Sequence, residues 1–331
     1  MITAFPGQLE EAMELAAKTR FNKHLHPVNK VFVCGMGGSG IGADFVASFI
    51  RGRCKVPLVV GKSYDAPGWI DQNTLVIISS YSGNTEETIS SFHQIKTTAA
   101  KIVCISSGGE VIRLANELKL DFIQLPGNWP SPRACLGYSL VAQLFVLHVL
   151  DLIDAEFKDE LKVLVRQLKS GNSEIIEKAK QLAAILQNKM IVIYTTERSE
   201  PVALRFRQQI NENSKMLCWH HVIPEMNHNE LVGWRWNQPA LAVLFIRNSD
   251  DHERNQARIE LTKEIVSHYS SSVIEVYSKG NSLAERSLYL VHLLDYVSVF
   301  LADYNKIDAI EVRVIDFLKT ELSKTGIPPT S

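Results

Sequence analysis

Two loops in the first third of the chain carry groups that bind phosphate. One reads Cys34-Gly-Met-Gly-Gly-Ser-Gly-Ile-Gly42 and follows the apolar run at 31–33. The other reads Ser79-Ser-Tyr-Ser-Gly-Asn-Thr-Glu-Glu-Thr88 and follows the apolar run at 75–78. Gly35, Gly37 and Gly40 satisfy the G-x-G-x-x-G pattern of dinucleotide sites. Such a site also wants an acid ~20 positions on, at the end of the second strand, to hold a ribose. Here the second apolar run ends in Gly61-Lys62, and Asp65 already lies in the loop beyond. The second loop points to a smaller phosphate ligand. Ser80, Ser82 and Thr85 set three hydroxyls on one turn, Gly83 permits close approach, and a helix opening near Asn84 or Thr85 brings unpaired N–H groups and a positive dipole end. With Ser39 and the backbone of Gly37 and Gly38, this reads as a phosphate cradle built without lysine or metal. Asn84 followed by Glu87 also reads as a capping box. That accounts for those two residues but leaves the extra hydroxyls unexplained.

The elements that must position these loops alternate in type. Near-continuous apolar runs predict strands at 30–34, 57–61, 74–79, 101–106 and 121–125, with helices at 41–52, 85–97 and 109–117 between them. Strands apolar on both faces belong to parallel sheets covered by helices, and right-handed crossovers then give an αβα sandwich. In such a sheet both loops leave carboxyl ends of strands and can face one crevice. An apolar helix at 138–153 follows; Gln143, His148 and Asp151 interrupt it, so it reads as a buried helix and not a membrane span.

The second half repeats the scheme. Helices are predicted at 156–169, 173–187 and 201–213, strands at 190–194, 217–222, 240–246 and 273–277, and long helices at 251–269, 282–303 and 308–324. The fold class is therefore α/β, with two αβα sandwich domains at 1–153 and 154–331. No element is assigned before residue 30, and the tail at 326–331 is expected to fray.

Lysine plus arginine (35) balance aspartate plus glutamate (36), so no polyanion partner is implied, and the scattered basic residues argue against nucleic-acid binding. Five cysteines at 34, 54, 104, 135 and 218 form no Cys-x-x-Cys pair, and the N-terminus lacks a basic segment leading into an apolar core. A reduced, cytoplasmic protein is the natural reading.

Taken together, the two loops resemble the sugar isomerase (SIS) domain. More narrowly, the chain resembles the bifunctional phosphoglucose/phosphomannose isomerase family. Further matching segments are Pro130-Ser-Pro-Arg-Ala-Cys-Leu-Gly-Tyr138, Gln208-Gln-Ile-Asn-Glu-Asn-Ser-Lys215 and Pro224-Glu-Met-Asn-His-Asn-Glu-Leu-Val-Gly-Trp234, in family order across nearly the whole chain. The resemblance implies two SIS domains, a homodimer, no cofactor, and metal-independent isomerisation of 6-phosphosugars: glucose 6-phosphate and mannose 6-phosphate with fructose 6-phosphate.

That reaction moves a proton between C2 and C1, by its simplest route through a cis-enediolate. It implies Glu212 as the base; a carboxylate at a helix C-terminus breaks a local rule, as functional groups often do. Arg133 is implied as the fixed cation beside the developing oxyanion. His228, donated by the neighbouring subunit, and Lys319 are implied in ring opening. Lys306 competes with Lys319, because the sequence before that last helix, Lys306-Ile-Asp-Ala309, departs from the family pattern. Adjacent His220 and His221 invite a metal reading with Glu225 and His228, but neighbours on a strand face opposite sides, so no metal site is assigned. The competing function is a non-catalytic SIS-domain regulator that senses sugar phosphate. The 29 residues before the first strand are too few for a DNA-reading domain with its linker.

Overall fold

The computed structural model describes residues 1–22 and 26–325. The tail at 326–331 lies outside them. The chain divides into two compact units, residues 3–165 with 317–325, and residues 166–316.

The first unit opens with α1 (Phe5–Lys18), where the sequence predicts no element. Pro6 and Gly7 obscure it, yet proline is tolerated in a first helical turn. Its buried residues Phe5, Leu9, Ala12 and Ala16 fall on one helical face. Then come β1 (Lys30–Cys34), α2 (Gly37–Ile50), β2 (Leu58–Gly61), β3 (Thr74–Ser79), α3 (Glu86–Ile95), β4 (Lys101–Ser106), α4 (Gly109–Glu117), β5 (Asp121–Gln124) and α5 (Leu136–Val149). The sheet is parallel throughout, in the order β2-β1-β3-β4-β5. Strands β3 and β4 are buried along their whole length, as their unbroken apolar runs require. Helix α5 is buried from Leu136 to Leu147 and packs against α1 and α2. Its one interior amide, Gln143, donates to Ser139 Oγ at 3.0 Å.

The strand order reverses between β1 and β3. In an open parallel sheet of this order, that switch point is where loops on either side diverge and leave a crevice. The two loops singled out above follow these two strands.

After α6 (Glu156–Ser170), within which the division between units falls, the second unit continues through α7 (Asn172–Leu186), β6 (Met190–Thr196), α8 (Glu200–Ser214), β7 (Cys218–Ile223), β8 (Leu241–Arg247), α9 (Glu253–Ser267), β9 (Val273–Tyr277) and α10 (Leu283–Asn305). The last helix, α11 (Arg313–Lys324), follows. The second sheet is also parallel, ordered β7-β6-β8-β9, so its switch point lies between β6 and β8. Helices α7 and α8 pack on α10. The α8–α10 contact holds a buried ion pair, Arg205 to Asp295 at 2.6 Å, joined by Gln209 and by Asn213 to Ser298.

Helix α11 begins five residues later than the sequence predicts. Asp308 turns the chain by accepting from the Ile310 N–H at 2.8 Å, and Glu311 accepts from the Arg313 N–H at 2.6 Å. Side-chain acceptors of this kind compete with helix and delay its start.

Candidate active site

At the first switch point two helices begin without a capping side chain. Helix α2 starts at Gly37, four residues before the sequence prediction, so most of the glycine segment is helix and only Gly35 and Met36 separate it from β1. Helix α3 starts at Glu86 with Thr85 as its N-cap, and neither N-cap side chain bonds back to its helix. The Thr85 hydroxyl instead meets Ser80 Oγ at 2.8 Å. Ser39 Oγ accepts from the Tyr81 N–H at 3.2 Å and so ties the start of α2 to the β3 loop. Ser80 is buried and also accepts from the Gly83 N–H, while Ser82 is exposed and accepts from the Asn84 N–H at 3.3 Å. The structure thus brings Ser39, Ser80, Ser82 and Thr85 onto the two loops flanking β1 and β3. In α2 the Ser39 N–H already bonds the Met36 carbonyl at 3.0 Å. The N–H groups that open a helix ahead of such a bond lack an intrahelical acceptor, which is the setting that favours an anion.

The expected capping box is absent. Asn84 does not cap α3; its Oδ1 accepts from the Glu110 N–H at 3.0 Å, at the start of α4. Gly109 stands at φ +67°, and a Cβ there would lie 2.7 Å from Asn84 Oδ1. This long-range cap is invisible to a rule that looks three residues ahead.

Several glycines read as clearance for a ligand turn out to clear protein backbone. A Cβ on Gly83 would sit 1.8 Å from the Gly108 carbonyl oxygen, and one on Gly35 2.7 Å from that of Ser79. Gly38 faces the Pro132 carbonyl, 3.2 Å from where its Cβ would be, with the Arg133 Cα at 3.5 Å. The start of α2 is therefore packed against the 3₁₀ turn Pro132–Cys135 that carries Arg133. Gly37, at φ +49°, has open space where a side chain would go.

Glu212 occupies the last turn of α8 in the second unit, half-buried. Its turn is held from several sides. Asn211 Nδ2 donates to the Met216 carbonyl at 2.7 Å, Ser214 Oγ to the Ser298 carbonyl at 2.7 Å, and Asn305 Nδ2 to the Ser214 carbonyl at 3.1 Å. Lys215 follows at φ +53° as a left-handed C-cap. Glu212 lines a cavity of about 390 Å³ with Asn211, Lys215, Met216, Val312 and Ile315 among its other walls.

His228 is exposed on the 3₁₀ turn Glu225–His228. The loop behind it is anchored by Met226, fully buried, and by Glu230, a residue of the Pro224–Trp234 motif with no role assigned from sequence. Glu230 accepts from Tyr194 Oη at 2.5 Å and from Trp219 Nε1 at 3.1 Å, and pairs with His221 Nδ1 at 2.8 Å. Burial and the Glu230 carboxylate push the Tyr194 hydroxyl well above the ordinary phenol range. His220 turns the other way, its Nε2 3.6 Å from Glu200. The two histidines thus take different carboxylates, as opposite strand faces require. Lys319 is exposed on α11, and Lys306 is the left-handed C-cap of α10 at φ +55°.

The two parallel sheets, each with helix-starting loops at its switch point, define a double SIS-type protein. Residues 24–152 match the SIS domain, and residues 175–322 match the bacterial phospho-glucose isomerase C-terminal SIS domain. The chain is 36% identical to the bifunctional phosphoglucose/phosphomannose isomerase of Caldicellulosiruptor bescii, covering 96% of this chain and 97% of that one. It is 37% identical to the protein of the same name from Aquifex aeolicus, over 91% and 93% of the two chains. The chain belongs to the bifunctional phosphoglucose/phosphomannose isomerase family. Solved structures share the fold at lower identity. The C-terminal domain of glucosamine-fructose-6-phosphate aminotransferase from Francisella tularensis superimposes with a TM-score of 0.75 at 16% identity, covering 93% and 96%. Tagatose-6-phosphate ketose/aldose isomerase from Escherichia coli does so at 0.65 and 11%, covering 94% and 90%.

Proposed function

We propose that this protein is an aldose–ketose isomerase interconverting glucose 6-phosphate and mannose 6-phosphate with fructose 6-phosphate. The observation that carries the reading is the pair of uncapped helix starts at the β1/β3 switch point, joined through Ser39 and Tyr81 and furnished with Ser80, Ser82 and Thr85. They supply donors for the 6-phosphate, with Gly37 and Gly38 giving it backbone to lie against. Family membership supports the chemistry that follows.

In this reading Glu212 takes the proton from C2 and returns it to C1 of a cis-enediolate. Arg133 stabilises the oxyanion; a guanidinium stays charged and does not compete for the migrating proton. His228 and Lys319 pass protons to and from the ring oxygen during opening and closing, His228 reaching the site from a second subunit of a homodimer. Its exposure in the single chain is compatible with that donation. Glucose and mannose 6-phosphate differ only at C2, so one base serves both if the enediolate presents either face to it.

The boundary between the domains is proposed at 153/154 along the chain, with the phosphate loops before it and the base after it. A cytoplasmic setting is proposed from five free cysteines, three of them buried. No described helix is long and apolar enough to cross a membrane.

Incubation with fructose 6-phosphate in chelator-treated buffer, followed by assay for both aldose products, tests the reading. Both products are expected from the native protein, and a Glu212→Gln protein should lose at least about 100-fold in kcat, the lower end for general acid–base groups. An inactive native protein would overturn the activity, and a Glu212→Gln protein at native rate would overturn the base.

A further inference from the structure

The loop that presents His228 is built more rigidly than a surface loop needs to be. It leaves β7 at Ile223, which is buried, and returns at Trp234, 7% exposed. Between them Asn227 Nδ2 donates to Thr262 Oγ1 on α9 at 2.9 Å, and Asn229 Nδ2 donates to Glu225 at 2.9 Å. The Asn229 side chain also accepts from the Glu230 N–H at 2.6 Å.

Glu230 is the centre of this arrangement. Its Oε1 receives Tyr194 Oη from β6 and Trp219 Nε1 from β7, and its Oε2 meets His221 of β7. Tyr194 Oη, while donating to Glu230, accepts from Trp234 Nε1 at 3.0 Å. One carboxylate therefore ties the loop to two strands through charge-assisted bonds, which are stronger than neutral ones, and Tyr194 passes the connection on to Trp234 at the end of the loop. His228 is two residues away and exposed, at the end of the turn Glu225–His228.

We infer that Glu230 is a positioning residue for His228: it touches no reacting atom, and it fixes the place and aim of the imidazole through the loop. The inference rests on the reading of His228 as a ring-opening group. Ring opening is a proton transfer between groups in hydrogen-bond reach, and small displacements of such a group are costly to the rate.

A double-mutant cycle separates this role from general stabilisation, because residues acting through one another give non-additive losses. The proteins are His228→Ala, Glu230→Ala and their combination, assayed with fructose 6-phosphate. His228→Ala should lower kcat about 100-fold, and Glu230→Ala about tenfold or more, with KM changed less than about threefold. Adding Glu230→Ala to His228→Ala should change kcat by less than about twofold. Glu230→Gln keeps an acceptor for Tyr194 and Trp219 and should recover most of the rate. Tyr194→Phe removes one donor with little change of shape. It provides the same cycle if Glu230→Ala does not fold.

Losses that multiply in the double variant would overturn the inference, as would a Glu230→Gln protein as slow as Glu230→Ala. A native rate in His228→Ala would remove the ring-opening role and the positioning role with it. In that case inactivity of Glu212→Gln would show the isomerase reading still standing.

Discussion

Lys215 closes the helix that carries Glu212. Its Nζ donates to the Glu212 carbonyl oxygen at 2.6 Å, and a second bond of 2.6 Å reaches the Glu311 carbonyl. A cation at a helix C-terminus satisfies orphan carbonyls and complements the dipole. The same ammonium joins the end of α8 to the segment leading into α11.

Replacing Lys215 should therefore affect stability and rate separately. The residue sits at φ +53°, where glycine is at ease. Lys215→Gly relieves backbone strain while deleting two charge-assisted bonds worth roughly 1.5–3 kcal/mol each, so the net loss of stability should be no more than about 2–4 kcal/mol. Lys215→Met keeps the strain and loses the bonds, and should be less stable by about a further 1 kcal/mol. Both should lower kcat through the loosened Glu212 turn. Urea unfolding beside steady-state kinetics checks the order; a Lys215→Met protein more stable than Lys215→Gly would contradict it.

Thr85→Val keeps the shape of the N-cap and removes its hydroxyl. Ser80 loses its 2.8 Å partner, and the proposed phosphate cradle loses one hydroxyl. The expected result is a KM for fructose 6-phosphate raised about tenfold or more, with kcat nearly unchanged, because the interaction is made equally in ground and transition states. A fall in kcat at constant KM would place Thr85 elsewhere in the mechanism.

Gly83→Ala meets two obstacles at once, a φ of +71° and a Cβ position 1.8 Å from the Gly108 oxygen. The loop after β3 must move away from the loop after β4. Unfolding should be easier by about 2–3 kcal/mol, and phosphate-dependent KM should rise in parallel. Gly37→Ala, with open space at its Cβ but φ +49°, should cost less. Thermal melts of the two proteins give the comparison.

The acid limb of stability should report on His292. Burial holds its imidazole down to about 4, and it lies within α10 with Nε2 3.2 Å from Asn172 Oδ1 and the Tyr296 hydroxyl beside it. The unfolded chain takes up a proton near pH 6.5 while the folded chain does not until about 4. Stability from this group is therefore complete above about pH 6.5 and falls with pH through that window, by about 3 kcal/mol in total. His292→Gln should flatten the slope between pH 7 and 5, measured by urea unfolding at each pH.

Much of this architecture could be read from apolar runs alone. Strands at 30–34, 74–79 and 101–106 fall where the sequence puts them, since a strand buried on both faces writes an apolar run. What escaped reading depends on distant contacts. Helix α1 is amphipathic only with respect to α5, and its opening proline and glycine mask it. Gly37 to Gly42 discourage helix by propensity, yet packing against the Pro132 turn and α5 makes helix the fit there. Asn84 caps a helix 26 residues away. The residues proposed for the site come from motifs, whereas Glu230 and Lys215, which lie within those motifs, acquire roles only from the bonds they make.

The switch point of the second sheet bears on stoichiometry. There the loops after β6 and β8 are stitched together by their own side chains: Thr196 Oγ1 donates to Asp251 at 2.7 Å, Asp251 accepts from the Asn248 N–H at 3.3 Å, and Asn248 bonds Ser199. Asp251 is buried, and burial raises its carboxyl above the usual range. An internal carboxylate thus sits between the loops where an incoming anion would have to go. Although the chain contains two sheets of like order, calorimetric titration should count one phosphate ligand per polypeptide and not two.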